Sequence, residues 1–380
     1  MTYYPLKERI NKTDIVSACV SADTELVIPP LLEEKAEAIA EEIAAARERG
    51  ASVICAFGAH AIKNGLGKLL GEMLSRFWFT HLATNGAAVI HDWEFSFLGK
   101  SCEDVRENVA RGCFGTWEET GLYINLALAL GAYKGLGYGA SVGAMITGQG
   151  LSIPARKELL DSARFAAANS TTAEFPPAKA AAALDLYELI ETEKIPSGFL
   201  PIPHPWAAYS LLATAAKTGQ SFTCHPMFGH DIIYTHRANR GAAIGRTAER
   251  DFLKYVNSVA GLEGGVYLSV GSAVMSPMIF EKALSMVRNA ASGAAGGASG
   301  DDSGGTNTGD KGLHDCGIHV VDLQESTWDW SKGEPPMDNP AYYLRYMKTF
   351  SRMGMRTEYI QGDNKKFFVA LYRALQKRLP

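Results

Sequence analysis

Ala51-Ser52-Val53-Ile54-Cys55-Ala56-Phe57-Gly58-Ala59-His60 is an unbroken apolar run that stops at a glycine turn. Such a run suits a strand covered on both faces, because a strand with one wet face alternates polar and apolar residues. The stretch before it, Leu31 to Arg49, consists of strong helix formers with Leu32, Ala36, Ile39 and Ile43 at helical spacing, and Gly50 stands as its stop. The stretch after it, Ala61 to Phe77, carries Ile62, Leu66, Leu69, Met73 and Phe77 on one stripe. Helix, strand, glycine turn and helix are the parts of a right-handed βαβ unit.

The pattern recurs along the chain. His81–Ala83 runs into Thr84-Asn85-Gly86-Ala87, Ser221–Thr223 into Cys224-His225-Pro226, Val266–Val270 into Gly271-Ser272-Ala273, and Ile318–Val321 into Asp322-Leu323-Gln324. A weaker sixth run, Thr357–Ile360, precedes Gln361-Gly362-Asp363. Six such units predict an α/β fold with a mostly parallel six-stranded sheet, whose turns line up along one edge where ligands bind. Ser101-Cys102-Glu103-Asp104 is expected to open a helix with Ser101 as its cap. Residues 290–312, rich in Gly, Ala, Ser and Asp, are expected to form a flexible loop, and 1–380 to form a single α/β domain.

Thirty-seven basic against 41 acidic residues give a formal net charge of −4 with no basic block, so nucleic acid is not an expected partner. No apolar stretch has the length of a membrane span and the N-terminus lacks the apolar core of a signal peptide, which together predict a cytoplasmic protein that does not bind membranes. Six scattered cysteines without a Cys-x-x-Cys pair are expected to be reduced thiols.

Two segments carry most of the candidate chemistry. Thr84-Asn85-Gly86-Ala87 is followed by His91, Asp92 and Glu94: glycine admits a ligand close to the backbone, Thr84 and Asn85 can bind hydroxyl or phosphate oxygens, and the next helix start can hold an anion. Cys224 to His236 places His225, His230, Asp231 and His236 within twelve residues. Those histidines are acid–base candidates. They are also candidate ligands of zinc, iron or manganese, although their spacing matches no specific metal motif. Glu118 and Glu119 are neighbours that a helix turns about 100° apart, so they do not form a dyad. His204, in a proline-rich loop, reads as structural. Asp322, Gln324 and Asp363 stand at strand ends, where an acidic residue can receive ribose hydroxyls.

The order of these turns resembles that of deoxyhypusine synthase from about residue 50 to the C-terminus. Ala51–His60 followed by Thr84-Asn85-Gly86-Ala87 and His91-Asp92 is similar to the family's strand, Thr-x-Gly-Gly turn and acidic residues. Met227-Phe228-Gly229-His230-Asp231 through His236 is similar to its Gly-x-x-Gly-Asp turn followed by apolar residues and a histidine, and Val270-Gly271-Ser272 to its triple-glycine turn. The resemblance implies a Rossmann-like three-layer sandwich and a homo-oligomer, usually a tetramer. It also implies an NAD site lined by Gly58, His60, Thr84, Asn85, Gly86, Ala87, Asp231, Gly271, Ser272, Asp322, Gln324 and Asp363, serving an amine- or polyol-containing small-molecule substrate.

The chain departs from that family in two places. Ala273-Val274-Met275-Ser276-Pro277 stands where the family has its catalytic histidine, and the Trp-Gly-Lys motif has no match beyond Lys332 and Lys348. The catalytic candidates are therefore His91, Asp92, His225, His230, His236 and Lys348. A metal-assisted hydrolase or lyase using His225, His230 and His236 is the second expectation, and a nucleotide-binding scaffold without catalysis the third.

Overall fold

The computed structural model describes residues 1–168, 177–296 and 313–379. These residues group into two compact units, each gathered from three stretches of chain. The first holds Met1–Val20, Ala59–Ser75 and Asn85–Phe252, and the second Ser21–Gly58, Arg76–Thr84 and Leu253–Pro380.

All six expected strands form: β1 (Val53–Phe57), β2 (His81–Thr84), β3 (Ser221–Cys224), β4 (Gly265–Val270), β5 (Cys316–Asp322) and β6 (Arg356–Gln361). They make one parallel sheet in the order β6-β5-β4-β1-β2-β3, with β3 counted to the first unit and the other five to the second. From the other edge the order reads 3-2-1-4-5-6, the doubly wound arrangement whose direction reverses between β1 and β4. The register pairs Phe57 with Thr84 and with Val270, Val270 with Val321, and Asp322 with Gln361. The carboxyl ends of the second unit's five strands therefore share one edge.

Alternation of side chains gives that unit its layers. Tyr267 meets Phe280 of helix Met275–Gly296 and Phe350 of helix Arg345–Ser351, with ring centroids 4.4 and 5.7 Å away. The residues of opposite parity face helix Pro30–Glu48, whose buried stripe is Leu32, Ala36, Ile39 and Ile43. On that side His319 Nε2 lies 3.0 Å from Glu42 and its Nδ1 3.0 Å from Glu358, while Arg356 and Lys35 hold the two carboxylates from outside. Burial opposes the imidazolium, yet the two carboxylates win and raise His319 above 6.5. Both carboxylates fall to about 2, Glu42 against its burial and Glu358 chiefly through its bond to His319.

A raised histidine stabilises the fold fully below its ordinary value and loses that contribution as pH rises through the folded value. The carboxylates contribute above their ordinary 4.5 and lose it as pH falls towards 2. The cluster is therefore strongest between about pH 4.5 and 6.5. His319→Gln should lower the melting temperature at about pH 5.5 and have a clearly smaller effect at about pH 9, read by calorimetry at both values.

The first unit is mostly helical, and several expectations change there. The expected helix from Ala61 to Phe77 is two, Ala59–Lys63 and Gly67–Ser75, because the chain turns through left-handed backbone at Gly65 (φ +84°). Glu118–Lys134 and Tyr138–Thr147 are two further helices of this unit, the first ending at Gly135. Lys100–Glu103 is a strand, antiparallel to Asn11–Asp14, so Ser101 caps nothing; the cap of the next helix is Asp104, which accepts from Glu107 N. A second antiparallel pair joins Gly150–Ile153 to Gly198–Pro201. In the second unit, residues 290–296 of the expected loop continue helix Met275–Gly296, and 297–312 lie outside the described residues. All six cysteines are free thiols. No helix among the described residues is long and apolar enough to cross a membrane.

Candidate functional site

In the second unit the direction of the sheet reverses between β1 and β4, and the two turns leaving those strands almost touch. Gly58 N donates to Val270 O at 3.2 Å, and a Cβ placed on Gly58 would lie 2.1 Å from the carbonyl oxygen of Gly271. No side chain fits at that distance, so the glycine is dictated by the crossing of two backbones. Gly271 is left-handed (φ +56°) and donates to Val321 O at 2.9 Å. Ser272 Oγ then accepts from Ser276 N at 3.2 Å, in the first turn of helix Met275–Gly296.

The other strand-end residues of this unit are more committed to the fold than the sequence implies. Thr84 donates to Phe57 O at 2.8 Å and ties β2 to β1. Asp322 Oδ1 accepts from Gln324 N at 3.2 Å, and its carbonyl accepts from Gly362 N at 2.8 Å. Gln324 Oε1 accepts from Tyr346 at 3.2 Å. Asp363 caps helix Asn364–Arg378, accepting from Lys365 N at 3.0 Å and Lys366 N at 3.1 Å. Lys348 lies 3.2 Å over the Tyr342 ring and 3.6 Å from Glu334, the surroundings of a cation.

In the first unit, Asn85 caps helix Gly86–Leu98 through Ala88 N at 3.0 Å, and Gly86 and Ala87 begin that helix. Asp231 packs against Gly86 so closely that a Cβ there would sit 2.1 Å from its Oδ2. That oxygen is buried and has no hydrogen-bond partner, and neither do the buried hydroxyls of Tyr138 and Tyr234. Both hydroxyls are close enough to feel the Asp231 charge. Burial pushes Asp231 up to about 7, with the neighbouring Tyr234 hydroxyl acting in the opposite sense. A carboxyl that titrates near neutrality and has an unpartnered oxygen can take or give a proton at physiological pH.

The remaining candidates from the sequence are held separately. His60 is exposed on the short helix Ala59–Lys63. His91 Nδ1 is 2.7 Å from Ser101 Oγ, and burial takes its pKa down to about 4. Asp92 accepts from Ser210 Oγ at 2.5 Å, Leu211 N at 2.8 Å and Leu212 N at 3.2 Å, so it caps helix Leu211–Thr218. His225 is buried 2.9 Å from Thr223 Oγ1 with its pKa driven down to about 3. His230 is exposed in a turn. His236 Nδ1 accepts from Ala238 N at 3.1 Å, which leaves the proton on Nε2, 3.3 Å from Glu118. Among the described residues no group of His, Cys, Asp and Glu side chains gathers as a metal site, and the histidine cluster is dense in sequence without converging in space.

One buried network has no strong signal in the sequence. Arg9 makes two bonds to Glu94, at 2.7 and 2.6 Å, with both side chains about 1% exposed. Glu94 also accepts from Ser101 at 2.5 Å and Thr120 at 3.0 Å. Burial would raise Glu94, but the Arg9 charge and these donors hold it below the usual carboxylate range.

No protein-family model matches the chain, and no curated protein matches it. Among solved structures it is similar to ArgZ, an arginine dihydrolase from the ornithine-ammonia cycle in cyanobacteria, at 13% identity and TM-score 0.40 over 93% of this chain and 33% of that one. It is similar to AgrE, in a ternary complex with ornithine and NAD+, at 14% identity and TM-score 0.43 over 93% of this chain and 34% of that one. A conserved protein of LOR/SDH type from Methanococcus maripaludis S2 gives 11% identity and TM-score 0.41 over 94% of this chain and 72% of that one. The chain spans about a third of the length of the first two. None of the three is a deoxyhypusine synthase, and the assignment of the fold rests on the strand order.

Proposed function

We propose that the chain is a deoxyhypusine synthase-like enzyme that binds NAD at the strand-end turns of its second unit and acts on an amine- or polyol-containing small molecule. The observation that carries this reading is the reversal of strand order between β1 and β4, with Gly58 and Gly271 in backbone contact there. Open α/β sheets bind nucleotides at such a reversal.

The residues present fit a dinucleotide in three respects. Gly271, where a Cβ would meet nothing within 4 Å, leaves the backbone bare where a pyrophosphate would approach. The dipole of helix Met275–Gly296 favours an anion at its start, although Ser276 N is held by Ser272 Oγ, Pro277 has no N–H and Met278 N is held by Val274 O. Asp322, at the end of β5, offers a carboxylate to ribose hydroxyls. The Gly-x-Gly-x-x-Gly fingerprint is replaced by Gly58-Ala59-His60-Ala61-Ile62-Lys63, so the grip on phosphate differs from the common one. A bound nicotinamide would supply hydride transfer. The protein is further proposed to be cytoplasmic and homo-oligomeric, a tetramer by the family resemblance.

Calorimetric titration of the full chain with NAD+ and NADH at millimolar ligand should give saturable binding that Gly58→Ala abolishes. Absence of binding to the unaltered chain would overturn the reading.

A further inference from the structure

A concavity of about 300 Å³ lies wholly within the first unit and shares no residue with the strand-end turns. Its volume is at the lower end for a small-molecule site. Two aromatic rings, Tyr4 and Trp117, and three carboxylates, Glu8, Asp104 and Glu107, line it together with one guanidinium, Arg111.

The aromatic wall is fixed from behind. Tyr4 N donates to Thr116 O and Glu118 N to Tyr4 O, each at 2.9 Å, and the two ring centroids stand 6.2 Å apart. Arg9, locked by Glu94, lies 5.6 Å from the Trp117 centroid. Trp117 is 5% exposed, and its buried indole Nε1 meets no acceptor.

The charges are unevenly matched. Lys12 reaches Asp104 at 2.8 Å and Arg111 reaches Glu107 at 3.3 Å, whereas Glu8 has no ion-pair partner among the described residues. Ring faces attract a cation, and carboxylates accept its N–H bonds. An anion meets an excess of like charge, and a neutral ligand gains from neither effect.

We propose that this cavity binds the primary ammonium group of a small organic molecule, seated between the Tyr4–Trp117 wall and the Glu8 and Glu107 carboxylates. The site is independent of the nucleotide reading, and one can fail without the other.

The test follows the indole N–H signals of the full chain, assigned with Trp117→Phe, during titration with n-butylammonium chloride. Sodium chloride and n-butanol serve as ionic and neutral controls. The Trp117 signal should shift saturably with n-butylammonium and with neither control, whether or not NAD+ is present. Because Glu8 and Glu107 are both exposed, the Glu8→Gln, Glu107→Gln double variant keeps the fold, and it should weaken the apparent affinity about tenfold. No saturable shift, an equal shift with n-butanol, or an unchanged affinity in the double variant would each overturn the proposal.

Discussion

Replacing Arg9 by methionine is expected to destabilise the protein by about 3 to 5 kcal/mol, the cost of leaving a buried charge without its partner. Glu94 is fully enclosed, and Arg9 alone supplies two of its bonds. Ser101 and Thr120 remain on the carboxylate in the variant, but neither carries charge. The same substitution removes the cation over the Trp117 ring. Urea unfolding of the variant against the parent measures the loss. Arg9→Met combined with Glu94→Leu should recover most of it, since an apolar pair of similar volume avoids the desolvation of both ions. A single variant as stable as the parent would show that the pair is not closed to water.

Asp231→Asn has the opposite sign at high pH. The ordinary value of an aspartate is 3.8 and that of Asp231 about 7. A group raised on folding contributes stability fully below its ordinary value, and the contribution is lost as pH rises through the folded value. Above about pH 7 the ionised carboxylate is therefore a burden, bounded by about 4 kcal/mol for a shift of about three units. The asparagine variant should melt higher than the parent at about pH 8, and the difference should vanish at about pH 4. If Asp231 moves the proton in turnover, the variant is also inactive, and the pH–rate profile of the parent bends near 7. Equal stability of the two proteins across this range would exclude a strained carboxyl at Asp231.

The sheet was legible because its strands are covered on both faces, which removes polar alternation and leaves runs such as Val53–Phe57 and Gly265–Val270. The glycines at Gly58 and Gly271 were legible as turns, although their mutual contact was not. The helix expected to Phe77 broke because periodicity cannot register one left-handed residue at Gly65. The histidine cluster misled for a physical reason. His225 points into the core beside Thr223, His230 stands in an exposed turn, and His236 is taken by Glu118, so nearness along the chain did not become nearness in space. Arg9 and Glu94 meet across 85 positions with no periodic signal between them, and Tyr138 and Tyr234 are distinguished by burial alone.

The register of β1 has a bearing on biosynthesis. On one side its partner comes soon, Ile54 beside His81; on the other it waits for Val266 to meet Val53. While the ribosome makes the intervening chain, one flank of an apolar strand has backbone donors and acceptors open to any passing strand. Escape from aggregation is thus decided in that interval, and a delay in translation between β2 and β4 lengthens the exposure without altering a residue of the finished protein.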